Sequence, residues 1–435
     1  MASFPFWSMI CIILLIICTI SINAQQFVKP VLTQGGEDPD PVIRARRDFV
    51  KQMMKDAWDH YVEKAWGENE LKPISEVGQP GNHFGGAKVG CTIVDSLDTL
   101  YIMEMMEEFT VARDFVRDEL DWNVDASISQ FEATIRFMGG LLSAYALSND
   151  PVFLKKVVQL TDLLQPVFDT PTGLPYRHIN ILTGEPNRTN EKNFLAEVAT
   201  LHLEYNYLTD ITGNPTYRQR VDVIRNFLNQ VPKPYNGLYP SELNVITGEW
   251  TSMGPPTDSI FEYFLKSYIE TGLPDTLGLQ MYYDSINAFF DNGLIQTSSP
   301  SNLEYNSEMV NGTADPVVHH LTCFAGGMLA LGVYWMGSEH PNATRDMQLA
   351  INFTNTCYES YLRSVPKLGP VRFRFDEDEE AVGISETDRD WKLRPELIET
   401  FVILFRIRGD TKYRDWGWEI AQNIERYCKA GPGKG

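Results

Sequence analysis

The chain has 435 residues, of which 43% are hydrophobic, so wholesale disorder is excluded and there is enough apolar material for one large domain or two ordinary ones. With 58 acidic against 37 basic residues the formal net charge is −21. That charge disfavours nucleic acid and anionic lipid as partners and leaves neutral partners such as sugars open.

Residues 1–24 are uncharged and, from Phe4 to Ile22, almost wholly apolar. Two readings fit them. A cleaved signal peptide ending at Ala24 is preferred, and a signal anchor fits the length, near the ~20 residues that cross a bilayer. A buried core helix fits less well, because nothing polar supplies a second face. Either way the bulk of the chain is expected to face a lumen or the exterior. Four Asn-x-Thr acceptor triplets, at Asn187, Asn311, Asn342 and Asn352, agree.

Residues 25–43 are polar, carry Gly35-Gly36, Pro39 and Pro41, and read as a linker. From Arg44 the pattern becomes helical, with Phe49, Met53, Trp58, Tyr61 and Trp66 at helix-like spacing. A cap and a proline at Asn149-Asp-Pro open another amphipathic run. Further helices are expected over 195–207, 218–228, 260–268, 280–289, 323–333, 345–365, 395–406 and 413–427. Turns such as Thr212-Gly-Asn-Pro and Thr271-Gly-Leu-Pro separate them. Short hairpins are expected at Ile179-Asn-Ile-Leu-Thr-Gly-Glu and Phe373-Arg-Phe. A dozen or so helices with short connections must bury their apolar stripes against one another. We therefore expect an all-α toroid or solenoid of helix pairs with its loops gathered at one end, as a single domain over 44–435.

Cys11 and Cys18 lie in the apolar leader. The other four, Cys91, Cys323, Cys357 and Cys428, are too few for a disulfide-built scaffold and too widely spaced for a zinc pattern. One bridge is compatible with an oxidising lumen.

Several acids stand inside apolar segments, where a charge is costly unless paired or functional. Glu132 precedes the apolar stretch 137–142, and Arg136 at i+4 offers an ion pair. Asp258 reads as an N-cap, with Glu262 one turn on. Glu396 and Glu399 follow Arg394-Pro395 and suit the first turn of a helix. Glu380 closes the acidic run 376–380, which reads as a solvated loop. Glu197 and His320 are weak signals taken alone.

Longer motifs alter that weighting. They are Ala65-Trp-Gly-Glu-Asn-Glu, Phe84-Gly-Gly, Thr92-Ile-Val-Asp-Ser-Leu-Asp-Thr-Leu, Phe131-Glu-Ala-Thr-Ile-Arg-Phe-Met-Gly-Gly, Leu195-Ala-Glu-Val-Ala-Thr-Leu-His-Leu-Glu-Tyr, His320-Leu-Thr-Cys-Phe-Ala-Gly-Gly and Leu393-Arg-Pro-Glu-Leu-Ile-Glu-Thr. In this order, from about Lys51 to Cys428, they resemble the class I α-1,2-mannosidases of glycoside hydrolase family 47.

The resemblance implies an (α/α)7 barrel, a calcium ion at its base and inverting hydrolysis of α-1,2-linked mannose on high-mannose N-glycans, by a monomer in the ER or Golgi lumen or secreted. It implies Glu132 as acid, Glu396 as leading base, and Asp258 and Glu380 as further catalytic carboxylates. It implies Arg136, Glu197, Glu262, His320, Arg394 and Glu399 as sugar contacts, and a Cys323–Cys357 disulfide. Cys91 and Cys428 are then free thiols or an unassigned pair.

Three departures stand out. Pro255-Pro-Thr replaces the family's Gly-Leu-Gly, and Thr189-Asn-Glu-Lys-Asn replaces a glycine/serine-rich segment. The family's final helical segment, with an Asn-Thr-Glu-Ala-His motif whose threonine binds calcium, has no counterpart before Gly435. The expected barrel is therefore incomplete at its C-terminus, calcium binding is in question, and a catalytically impaired, lectin-like relative in glycoprotein quality control is the alternative function.

Overall fold

A computed structural model describes residues 38–430, apart from 234, 253–257, 273, 311 and 378 and the side chains of 251, 252 and 258. The apolar leader, most of the linker, Asn311 and Pro255-Pro-Thr lie outside the described residues.

Helix α1 spans Pro41–Ala65. It starts inside the segment read as linker, because Asp40 caps it: the Val42 N–H donates to Asp40 Oδ1 at 2.8 Å and Pro41 takes the first helical position. α2 (Cys91–Ile102) and α3 (Met106–Asp118) follow. α4 combines Gln130–Glu132, a π-helical stretch Ala133–Met138 and Gly139–Ser148. Then come α5 (Pro151–Leu164), α6 (Leu195–Ala199), α7 (His202–Thr212), α8 (Pro215–Gln230), α9 (Asp258–Glu270) and α10 (Thr276–Asp291). The last are α11 (Ala325–Met336), α12 (Ala343–Leu362), α13 (Glu396–Arg408) and α14 (Lys412–Cys428).

Packing sorts these into two layers. α2, α4, α7, α9, α11 and α13 touch in succession as an inner series, and α3, α5, α8, α10, α12 and α14 each back one of them. α1 rests against α14. This is the helix-pair toroid of an (α/α)7 barrel. Inner helices are covered on both sides, so their sequences are apolar nearly all round: Gly326 to Val333 of α11 is continuously buried.

Glycines set how closely the layers approach. A Cβ on Gly140 of α4 would stand 2.8 Å from the Val94 carbonyl of α2. On Gly326 it would meet Thr354 Oγ1 at 2.4 Å, and on Gly327 Ile403 Cδ1 at 2.9 Å. α11 is thus wedged between α12 and α13, as only glycine permits at those two positions. The Cys323–Cys357 disulfide ties the turn before α11 to α12, as the resemblance implied. Cys91 is buried and Cys428 exposed; both are free, so the alternative of a second pair is not realised.

The strands among the described residues are short and antiparallel: β1 (Glu70–Lys72) pairs with β2 (Val77–Gln79), β9 (Ile295–Thr297) with β10 (Glu304–Asn306), and β11 (Glu308–Val310) with β12 (Thr313–Asp315). β3 (Ser127–Ser129), β4 (His178–Asn180) and β5 (Glu185–Pro186) form one sheet, and β6 (Lys192–Phe194), β7 (Glu242–Asn244) and β8 (Trp250–Ser252) another. A third joins β13 (Val317–His319), β14 (Arg372–Phe375) and β15 (Glu380–Gly383). β3 leads into α4, β6 into α6, and β13 through a 3₁₀ turn into α11. The sheets therefore gather where inner helices begin, and both hairpins expected from sequence are among them.

Candidate active site

Glu132 is placed by the junction of β3 and α4. The Ser129 hydroxyl oxygen accepts from the Glu132 N–H at 3.2 Å, which caps the helix. The Glu132 carboxylate lies between two basic side chains. Arg136 Nε donates to Oε2 at 2.8 Å, and His83 Nδ1 stands 3.2 Å from Oε1. Arg136 also reaches Asp95 Oδ2 on α2 at 3.3 Å. The next residues, Ala133–Met138, are π-helical, an irregularity frequent at functional sites. The i+4 pair read from sequence is present, and it is one edge of a larger network.

Glu197 on α6 accepts two hydrogen bonds from Arg177, at 2.8 and 2.7 Å. Burial raises its pKa, Arg177 opposes the rise, and the nearby Glu132 charge adds to it. Glu132 and Glu197 thus sense one another as like charges.

A second group lines a cavity of about 520 Å³ between inner helices. Its polar wall includes Glu204, Glu262, Tyr263, Lys266, Glu270 and Glu399. Lys266 on α9 donates to Glu262 on its own helix and, at 3.0 Å, to Glu399 Oε1 on α13. Burial alone would lower the Lys266 pKa, but the two carboxylates hold it above its ordinary value. Glu204 is buried; Tyr263 donates to its Oε1 at 3.0 Å while Oε2 has no partner, and burial pushes its pKa up to about 7.

Glu396 opens α13 beside His320. His320 Nε2 is 2.6 Å from the Tyr361 hydroxyl, and His320 Nδ1 faces Glu396 Oε2 at 3.5 Å, longer than a good hydrogen bond. A Tyr361 O–H donated to Nε2 selects the tautomer that turns an N–H toward Glu396. Glu396 and Glu399, one turn apart, link this pair to Lys266. Arg394 lies just ahead, with Nη1 buried, on the wall of a separate apolar cavity of about 520 Å³.

Glu380 is held differently. It is buried on β15 and accepts from the hydroxyls of Ser298 (2.6 Å) and Ser301 and from the Ser301 N–H (3.0 Å). Arg363 stands 3.4 Å away. Burial raises its pKa, but these donors and the guanidinium outweigh that and hold it down to about 2. These bonds tie β15 to the 298–301 loop. Asp376, Glu377 and Glu379 ahead of it are exposed, the solvated loop read from the acidic run, and Glu380 alone of the described run is buried. Asp258 begins α9 as expected, but its side chain lies outside the described residues.

Residues that the sequence reading passed over are His83, Asp95, Arg177, Glu204, Lys266 and Tyr361. Asp95 and Glu204 fall inside motifs quoted above, and Lys266 is i+4 from Glu262, so spacing could have drawn attention to these three. His83, Arg177 and Tyr361 carry no local signal. Among the described residues no three His, Cys, Asp or Glu side chains converge as a metal site.

The family model for glycosyl hydrolase family 47 matches residues 53–434. The chain belongs to glycosyl hydrolase family 47. Among relatives of this family-47 chain, the human mannosyl-oligosaccharide 1,2-alpha-mannosidase IB is 43% identical over 408 residues, covering 92% of this chain and 63% of that protein. The mannosyl-oligosaccharide alpha-1,2-mannosidase IA of Drosophila melanogaster is 40% identical over 425 residues, covering 94% and 63%. The chain thus spans about 63% of the length of the curated relatives it matches. The solved alpha-1,2-mannosidase from Trichoderma reesei superposes with a TM-score of 0.79 at 24% identity, over 91% of this chain and 87% of that one. A sugar epimerase from a ruminal bacterium gives 0.59 at 12% identity, over 85% and 99%. These likenesses establish the fold of the family-47 chain.

Proposed function

We propose that the chain is a mannosyl-oligosaccharide 1,2-α-mannosidase that removes terminal α-1,2-linked mannose from high-mannose N-glycans, with inversion, in the lumen of the secretory pathway. What supports this reading is a family-47 barrel whose inner helices α4 and α13 each carry a carboxylate near their start, Glu132 and Glu396, held in different surroundings. Glu132 lies between Arg136 and His83, and Glu396 faces the His320–Tyr361 pair.

Inverting hydrolysis needs one carboxylic acid to protonate the leaving oxygen and one carboxylate to activate water on the opposite face. Glu132 takes the first role. Arg136 and Asp95 fix its position, and as the bond breaks the Arg136 guanidinium and His83 stabilise the carboxylate that forms. Glu396 takes the second, oriented by His320, whose tautomer Tyr361 sets. Asp258, at the start of α9, is assigned to water or sugar at the same centre. Glu197, Glu262, Arg394 and Glu399 orient sugar hydroxyls, with Lys266 bridging Glu262 and Glu399. The family resemblance implies Ca2+; with no cluster of ligands among the described residues, no step is routed through it.

The experiment is release of free mannose from a high-mannose N-glycan, with the product anomer read by NMR, with and without chelator. The reading expects β-mannose first and loss of activity on chelation. α-Mannose as first product overturns inversion. One observation favours a second reading: Glu380, one of the four carboxylates assigned to catalysis, has a structural role. On that reading the barrel binds mannose glycans without turnover, as glycan affinity in a folded sample that releases no mannose would demonstrate.

A further inference from the structure

Three Asn-x-Thr triplets fall among the described residues, and their surroundings differ. Asn352 lies inside α12 with its amide donating to Glu304 Oε2 at 2.8 Å. Its partner Thr354 is fully buried and donates to the Ala350 carbonyl at 2.6 Å. Asn342 sits half-buried at the start of α12, followed by buried Ala343. Asn187 is exposed, as are Arg188 and Thr189. Its Oδ1 accepts from the Thr189 N–H at 3.1 Å and from Thr189 Oγ1 at 2.6 Å. The amide oxygen and threonine hydroxyl of the triplet are therefore already joined at the surface, and a substituent on Nδ2 displaces no packed side chain.

The position of Asn187 relative to Glu132 follows from the sheet register. The Asn187 N–H donates to the His178 carbonyl at 2.8 Å, and His178 pairs with Ser129. Ser129 caps the helix that carries Glu132. Two strand spacings, about 10 Å, separate Asn187 from Ser129.

We propose that Asn187 carries an N-linked glycan, that the glycan stands beside the strand that leads into the Glu132 helix, and that Asn352 stays bare. The proposal rests on the secretory reading above. In the transfer, Asn187 Nδ2 forms a bond to C1 of an oligosaccharide donated by a lipid diphosphate. The C1–oxygen bond to the diphosphate breaks with its electron pair, one amide proton leaves, and the second N–H remains. The added group is neutral and leaves the charge of this surface unchanged. It is initially of the same chemical class as the proposed substrate.

The test is to produce the full chain with its own N-terminus in a glycosylating eukaryotic host. The chain is then treated with peptide N-glycosidase in heavy-oxygen water, and each triplet is mapped by mass. The expected result is heavy-oxygen aspartate at position 187 in most molecules and unlabelled asparagine at 352, with the label at 187 lost in Thr189→Ala. Unlabelled Asn187 beside a labelled Asn342 or Asn352, or a lumenal chain with every triplet bare, overturns the proposal. A chain that never enters the lumen overturns instead the secretory reading beneath it, and fractionation separates the two failures.

Discussion

Lys266 Nζ on α9 stands 3.0 Å from Glu399 Oε1 on α13, joining two inner helices that the sequence separates by 133 residues. The same ammonium donates to Glu262, so one buried cation serves two carboxylates. Removing it leaves both acids facing one cavity without a counter-charge. Lys266→Met is expected to lower stability by about 3 kcal/mol, measured by urea unfolding. Lys266→Arg should lose clearly less, since it keeps the charge. An unchanged midpoint in Lys266→Met would show that the lysine is not what holds these helices together.

Glu132 and Glu380 were both assigned to catalysis, and the structure separates them. Glu132→Gln is expected to reduce mannose release by about 10²–10⁴-fold, the range for a lost general acid, in a protein that still unfolds cooperatively. Glu380→Gln should act through stability, with kcat per folded molecule nearly unchanged. A loss of kcat in folded Glu380→Gln as large as in Glu132→Gln would restore Glu380 to the chemistry.

Stability should respond to acid and base through different carboxylates. Burial raises Glu204 from an ordinary 4.5 to about 7. Between those values the folded state keeps a proton that the unfolded state has released, so this contribution falls as pH rises from 4.5 to 7. Glu380 is depressed to about 2, so its contribution is present above pH 4.5 and is lost as pH falls toward 2. Denaturation midpoints measured across pH should therefore fall less steeply between 4.5 and 7 in Glu204→Gln, and less steeply below 4.5 in Glu380→Gln. Identical pH slopes in wild type and both variants would refute both assignments.

The Cys323–Cys357 bridge closes 34 residues, including all of α11. Replacing both cysteines by serine is expected to cost about 3–4 kcal/mol on the chain-entropy account. The loosened turn also carries His320, so Glu396 should lose its alignment and kcat should fall further than stability alone explains. Calorimetry and mannose release on the same sample check the two parts.

Helical periodicity, short connections and the absence of long strand patterns pointed from sequence to helix pairs in a toroid or solenoid, because each amphipathic stripe states locally that it must be covered; the family resemblance selected the barrel. The motifs carried the family and most of the acids. The linker boundary was misread by three residues, since Asp40-Pro41 begins a helix while Gly35-Gly36 and Pro39 beside it read as loop. The burial of Glu380 was not legible in the acidic run that precedes it, because the serines and arginine that engage it come from positions 298, 301 and 363. Chain order is also silent on His83 against Glu132, Arg177 against Glu197 and Tyr361 behind His320. A carboxylate's environment is set by groups within a few ångströms in space, and in a barrel those groups arrive from different helices. The sequence by itself determined that this chain folds as a family-47 barrel with acids on its inner helices. Only the tertiary structure decided which acids share a cation, which is locked in a hydrogen-bonded cage, and which acceptor asparagine stands exposed.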